Sequence, residues 1–119
     1  MDQLNNPYVI YNYTRKQAIE DGILVDITET AKNFGFVIPV AITATLFDSY
    51  VRPTPELEEV GQSLEGRLAA VLTVLYFTAK KGKNTNRVMF KVDFLMEPER
   101  IETVEIIGTL DREMKVNQC

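Results

Sequence analysis

The chain has 119 residues, 45% of them hydrophobic and 25% charged, which fits one soluble domain with its own core and argues against disorder. A net charge of −4 and a pI of about 4.8 exclude a molecule whose whole surface suits duplex nucleic acid. Histidine is absent, which excludes zinc sites built on Cys/His sets and nucleophiles of the Ser-His or Cys-His type.

Charge is uneven along the chain: residues 1–60 hold four Lys/Arg against nine Asp/Glu, and residues 61–119 hold nine against eight. A mixed solvated surface accounts for an asymmetry this mild. No run reaches the ~18 apolar residues of a membrane span. The start, MDQLNNPY, has neither the basic nor the apolar region of a secretory signal. Cys119 is the single cysteine, so no internal disulfide forms. These features predict a cytoplasmic protein without membrane contact, cofactor or metal.

In chain order, Tyr8–Tyr13 is aromatic and β-branched and reads as a short strand. Thr14 and Gln17 have capping-box spacing, which starts a short helix that ends at Asp21, with Gly22 free to turn left-handed. Ile23–Ile27 reads as extended. Thr28 is the expected cap of a second helix, with Glu29 in its first turn and Gly35 after its end. The run FVIPVAI contains Pro39, which lacks an amide and argues against a central strand. Thr43 caps a third helix through Val51, and Thr54-Pro55 opens one acidic turn inside the connector 52–62.

The longest element spans residues 63–82. Leu64, Leu68, Val71, Leu72, Leu75 and Ala79 recur on one helical face, and Ala70, Val74 and Phe77 form a second row beside it. Lys80 and Lys81 suit the C-terminal dipole. Residues 87–96 alternate with period two, as does much of 101–110, and the turn EPER joins them. The expected architecture is α+β, one small domain over 1–119. A short N-terminal strand and helices come first, then one long central helix, then a C-terminal antiparallel β-hairpin packed on it. Residues 111–119 are polar and are expected to fray.

Several polar groups invite a functional reading. Asp21 and Asp26 straddle Gly22, as a pair of carboxylates for acid–base work would, but both positions also suit local backbone hydrogen bonds. Arg67 interrupts the apolar surface of the long helix. A structural ion pair, with Asp21 or Asp26, is one reading, and an arginine that anchors an anion or a partner is the other. Tyr8, Tyr11 and Tyr13 near Arg15 and Lys16, with the run Lys80, Lys81, Lys83 and Arg87, have the interleaving of a single-strand nucleic-acid platform. The acidic connector with Arg52, Glu56, Glu58 and Glu59 offers contacts for a basic partner surface.

The stretch 13-YTRKQAIEDGILVDITETAKNFGFVIPVAIT-43, followed by 65-EGRLAAVL-72 and the closing hairpin, resembles a family of small bacterial proteins of unknown function, often encoded on plasmids, phages and other mobile elements. The similarity runs from Tyr13 to about Leu110. Phe47 and Ala69 stand where the family pattern leads one to expect tryptophan or another large aromatic, and the turn before the last strand is short. The resemblance implies a fold and a genomic setting, and no reaction. Three functions compete: a non-catalytic protein-binding modulator, the first choice, with a host defence system as one target; a single-stranded nucleic-acid binder; and a carboxylate enzyme built on Asp21, Asp26 and Arg67. A homodimer through Val74 and Phe77 is a separate expectation.

Overall fold

A computed structural model describes residues 14–82, 86–110 and 113–118. The strand expected over Tyr8–Tyr13 lies outside these residues. The described elements run α1 (Arg15–Glu20), β1 (Leu24–Asp26), α2 (Thr28–Lys32), β2 (Val40–Thr43), α3 (Ala44–Leu46, continuing as a π-helix over Phe47–Val51), α4 (Pro55–Glu59), α5 (Leu64–Lys81), β3 (Arg87–Glu97), β4 (Arg100–Leu110) and β5 (Met114–Gln118). The fold is α+β: one five-stranded mixed sheet in the order β1-β2-β5-β4-β3, with short helices and one long one.

Local chemistry starts and stops these elements. Thr14 accepts from the Gln17 amide at 3.0 Å, and the Gln17 side chain accepts from the Thr14 amide at 2.9 Å, closing the capping box. Gly22, at φ 76°, lets the Ile23 amide turn back onto the Ala18 carbonyl at 2.9 Å. Thr43 caps α3 through the Leu46 amide, and Ser63 caps α5 through the Gly66 amide. Thr28 departs from expectation. It is the first helical residue, Ile27 holds the cap position, and the Asp26 carboxylate accepts from the Thr28 amide at 3.0 Å. Gly82 also differs, closing α5 at φ −79° without a left-handed turn.

The hairpin β3–β4 forms as its alternation predicts and packs on α5. It is not the whole sheet. Residues 114–118, expected to fray, form a strand that pairs parallel with β2 and antiparallel with β4. The reason lies in the alternation of Met114 and Val116, both buried, with Lys115 and Asn117. The tail's polar residues are the solvent face of a strand. The Pro39 argument is corrected in the same way: β2 is an interior strand that begins one residue after the proline. Pro39 needs only its carbonyl, which accepts from the Met114 amide at 2.8 Å.

One face of the sheet carries the main core. Leu68, Val71, Leu72 and Leu75 of α5 meet Phe90, Val92, Phe94, Val104, Ile106, Met114 and Val116. Gly108 makes this approach possible, because a Cβ there would lie 2.9 Å from Leu75 Cδ1. On the opposite face α1 covers only β1 and β2, where Ala18 and Ile19 pack on Leu24 and Ala41.

Candidate functional site

Arg67 lies at the first turn of α5 and is 5% exposed. Its guanidinium pairs with no carboxylate among the described residues. Nε donates to the Tyr50 carbonyl at 2.9 Å, and Nη1 donates to the Leu95 carbonyl at 2.7 Å and to Gln62 Oε1 at 3.1 Å. The group sits 5.2 Å from the centroid of the Phe94 ring. Neutral carbonyl dipoles thus replace the expected aspartate, and desolvation pulls the Arg67 pKa below its ordinary value. Arg67 ties the end of the π-helix to strand β3 through α5. Burial and a full set of acceptors leave it no surface for a partner or an anion, which corrects that reading.

The two early aspartates do not converge. Asp21 closes α1 as its C-cap residue. Asp26 accepts from Thr28 Oγ1 and the Thr28 amide, and from Arg15 Nη2 at 3.0 Å. The Thr28 hydroxyl bond is the main cause that holds the Asp26 carboxyl below its usual range. The shallow depression beside it is lined by Arg15, Asp26, Ile27, Thr28, Glu29, Thr30 and Pro39, and includes neither Asp21 nor Arg67. Arg15 is the hub here. Its Nη2 reaches Asp26 and Thr28, and its Nε lies 2.9 Å from Glu113 Oε2, an ion pair by distance whose N–H is not aligned for a hydrogen bond.

Arg15 also borders an open groove of about 1060 Å³ on the face of the sheet away from α5, with Thr43, Arg87, Lys115 and Asn117 among its walls. Of the proposed nucleic-acid residues, this brings Arg87 to the groove but neither Lys80 nor Lys81. Lys80 instead lies 5.2 Å from the centroid of the Tyr76 ring, and Lys81 is exposed at the end of α5. Tyr8, Tyr11, Tyr13 and Lys83 lie outside the described residues. Among the described residues, no three His, Cys, Asp or Glu side chains gather as a metal site.

The acidic connector is on the surface: Glu56, Glu58 and Glu59 of α4 are exposed, and Arg52 pairs with Asp48 at 3.3 Å while lying over the Phe47 ring. Of the two residues expected in a dimer, Val74 packs partly into the core, and Phe77 stays 58% exposed. Phe77 belongs to an apolar group that the sequence does not announce. Tyr76 packs edge-on against both Phe36, at 5.6 Å between ring centres, and Phe77, at 5.8 Å. Val37, the neighbour of Phe36, is 97% exposed. Gly35, at φ 99°, brings this loop so close to α5 that a Cβ would lie 2.7 Å from the Tyr76 ring. In the sequence Val37 is one apolar residue of the run FVIPVAI, with nothing that marks it as exposed.

Comparison with known proteins adds one match. A model for a family of unknown function (DUF6573) matches residues 1–113. No curated protein and no solved structure matches the chain. Among the described residues, no helix is long and apolar enough to cross a membrane.

Proposed function

The chain belongs to this family of unknown function, and from its own surface we propose that it is a non-catalytic protein-binding modulator. The observation that carries the reading is Phe77, 58% exposed beside Tyr76, together with Val37, 97% exposed on the loop whose Phe36 packs on that tyrosine ring. Exposed aromatic side chains of this kind often dominate protein–protein binding energy. The basic end of α5, Lys80 and Lys81, borders it, and the acidic turn Glu56, Glu58 and Glu59 with Arg52 gives a second, charged contact region. The placement of the strongest polar candidates supports a non-enzymatic role: Arg67 donates to the Tyr50 and Leu95 carbonyls and to Gln62, and Asp26 is held by Thr28 and Arg15. The proposal extends to the setting that the sequence resemblance implies, a cytoplasmic protein of a bacterial mobile element acting on a host protein, with a defence system as the target class.

Capture from host lysate tests this. Wild-type protein is compared with V37D/F77D and with E56K/E58K/E59K, all of them surface changes that leave the core intact. The expected result is a protein retained by the wild type and lost with V37D/F77D. Equal recovery by wild type and V37D/F77D overturns the assignment of this surface.

A further inference from the structure

Among the described residues strand β3 is the last in the sheet, and the phase of its hydrogen bonds shows which groups it leaves unpaired there. The register places Arg87 opposite Thr109 and Val92 opposite Val104, and one step further out the Leu110 amide donates to the Asn86 carbonyl at 2.8 Å. Bonded pairs recur every second residue in an antiparallel ladder, so Val88, Phe90, Val92 and Phe94 bond to β4. Met89, Lys91, Asp93 and Leu95 point their N–H and C=O groups at the open edge. Leu95 bears this out, because its carbonyl accepts from Arg67. The backbones of Met89, Lys91 and Asp93 have no partner among the described residues. A register shift between Leu95 and Glu97 then ends the regular ladder. Natural sheets rarely leave a long, regular edge in this state.

The sequence of this edge is complementary to itself. An antiparallel copy placed about a two-fold axis at Val92 sets Lys91 opposite Asp93 and Asp93 opposite Lys91 on the outer face. It also sets Met89 opposite Leu95 there, and Phe90 opposite Phe94 on the face of α5. Sliding the copy by one ladder step in either direction ruins the match: one step stacks Lys91 on its own copy, the other stacks Asp93 on its own copy. Opposite charges directly across a strand pair stabilise it, and like charges destabilise it. We propose that this edge is a self-recognition site: β3 of a second copy of the chain pairs with it, antiparallel and centred on Val92, to give a two-fold dimer with a continuous sheet. Lys91 and Asp93 exchange main-chain bonds with their counterparts, and the Leu95 amide donates to the Met89 carbonyl of the second copy. Arg67 closes the ladder by holding the Leu95 carbonyl. This dimer does not use Phe77, so it leaves the proposed partner surface open. A short strand pair buries little area, which puts the dimer among weak, concentration-dependent assemblies.

Sedimentation of the reduced full chain, from micromolar to millimolar concentration at low salt, tests the pairing. The wild type is expected to shift from monomer to dimer as concentration rises. K91E and D93K should each lose the dimer, because each sets like charges opposite each other twice, and K91E/D93K should regain it with the charges exchanged. F77D should dimerise like the wild type. A wild type that stays monomeric throughout overturns the proposal. So does a dimer that survives K91E and D93K, or one that the double exchange fails to restore. A dimer lost only in F77D assigns self-association to α5 and also overturns it.

Discussion

Replacing Arg67 with methionine isolates the role of its hydrogen bonds, because methionine keeps an unbranched apolar stem and removes the guanidinium. Two buried backbone carbonyls, those of Tyr50 and Leu95, lose their donor, as does the Gln62 side chain. An unsatisfied buried polar group costs about 1–3 kcal/mol. The ring contact with Phe94 adds a further loss of about 0.5–1 kcal/mol. Against these stands relief from the desolvation that lowers the Arg67 pKa. The net expectation is a loss of about 2–4 kcal/mol. With a urea m-value of about 2 kcal/mol/M for a domain of this size, that moves the unfolding midpoint down by about 1–2 M at unchanged slope. Arg67→Lys should recover only part of the loss, since one ammonium head cannot reach both carbonyls in the fixed fork geometry of arginine. A midpoint for R67M equal to that of the wild type would refute the reasoning and return Arg67 to the list of groups available for binding.

Other consequences concern packing and pH. Gly108→Ala puts a methyl 2.9 Å from Leu75 Cδ1 and 3.2 Å from Val88 Cγ2, so urea unfolding should show about 1–3 kcal/mol of overpacking cost. Asp26 has a folded-state pKa below its usual 3.8. Its contribution is therefore complete above the unfolded pKa and lost as pH falls through the folded one. Asp26→Asn should be less stable than wild type at neutral pH, and the two should converge on acidification, as followed by circular dichroism. Tyr50 donates to Glu102 Oε2 at 2.8 Å, and that bond raises the tyrosine pKa above 10.0. Its contribution is complete below the unfolded pKa and lost as pH rises through the folded value. Tyr50→Phe should cost about 1 kcal/mol at neutral pH, and the difference should vanish in strongly alkaline buffer.

Much of the fold is written locally. The Thr14–Gln17 box, the caps at Thr43 and Thr54, and the alternation of β3 depend on residues close together in sequence, and each is found where the spacing puts it. What escapes the sequence is non-local. The polar tail becomes β5 because β2 and β4 leave a gap that its Met114 and Val116 fill. No count of polar residues in 111–119 carries that information. Arg67 escapes for a related reason: its acceptors are main-chain carbonyls of Tyr50 and Leu95, and a carbonyl has no signature of residue type. The exposed apolar residues were half legible: the second row of α5 marks Phe77, whereas nothing in FVIPVAI marks Val37 as the residue left in water.

Site-specific photo-crosslinking tests the binding role most directly. A photoreactive side chain placed at position 77, with the exposed Glu20 on α1 as the control position, reports which macromolecule touches that surface in host cells. The account predicts a discrete adduct with another protein from position 77 and none from position 20. No adduct above the control, or an adduct only with a second copy of the chain, would contradict it.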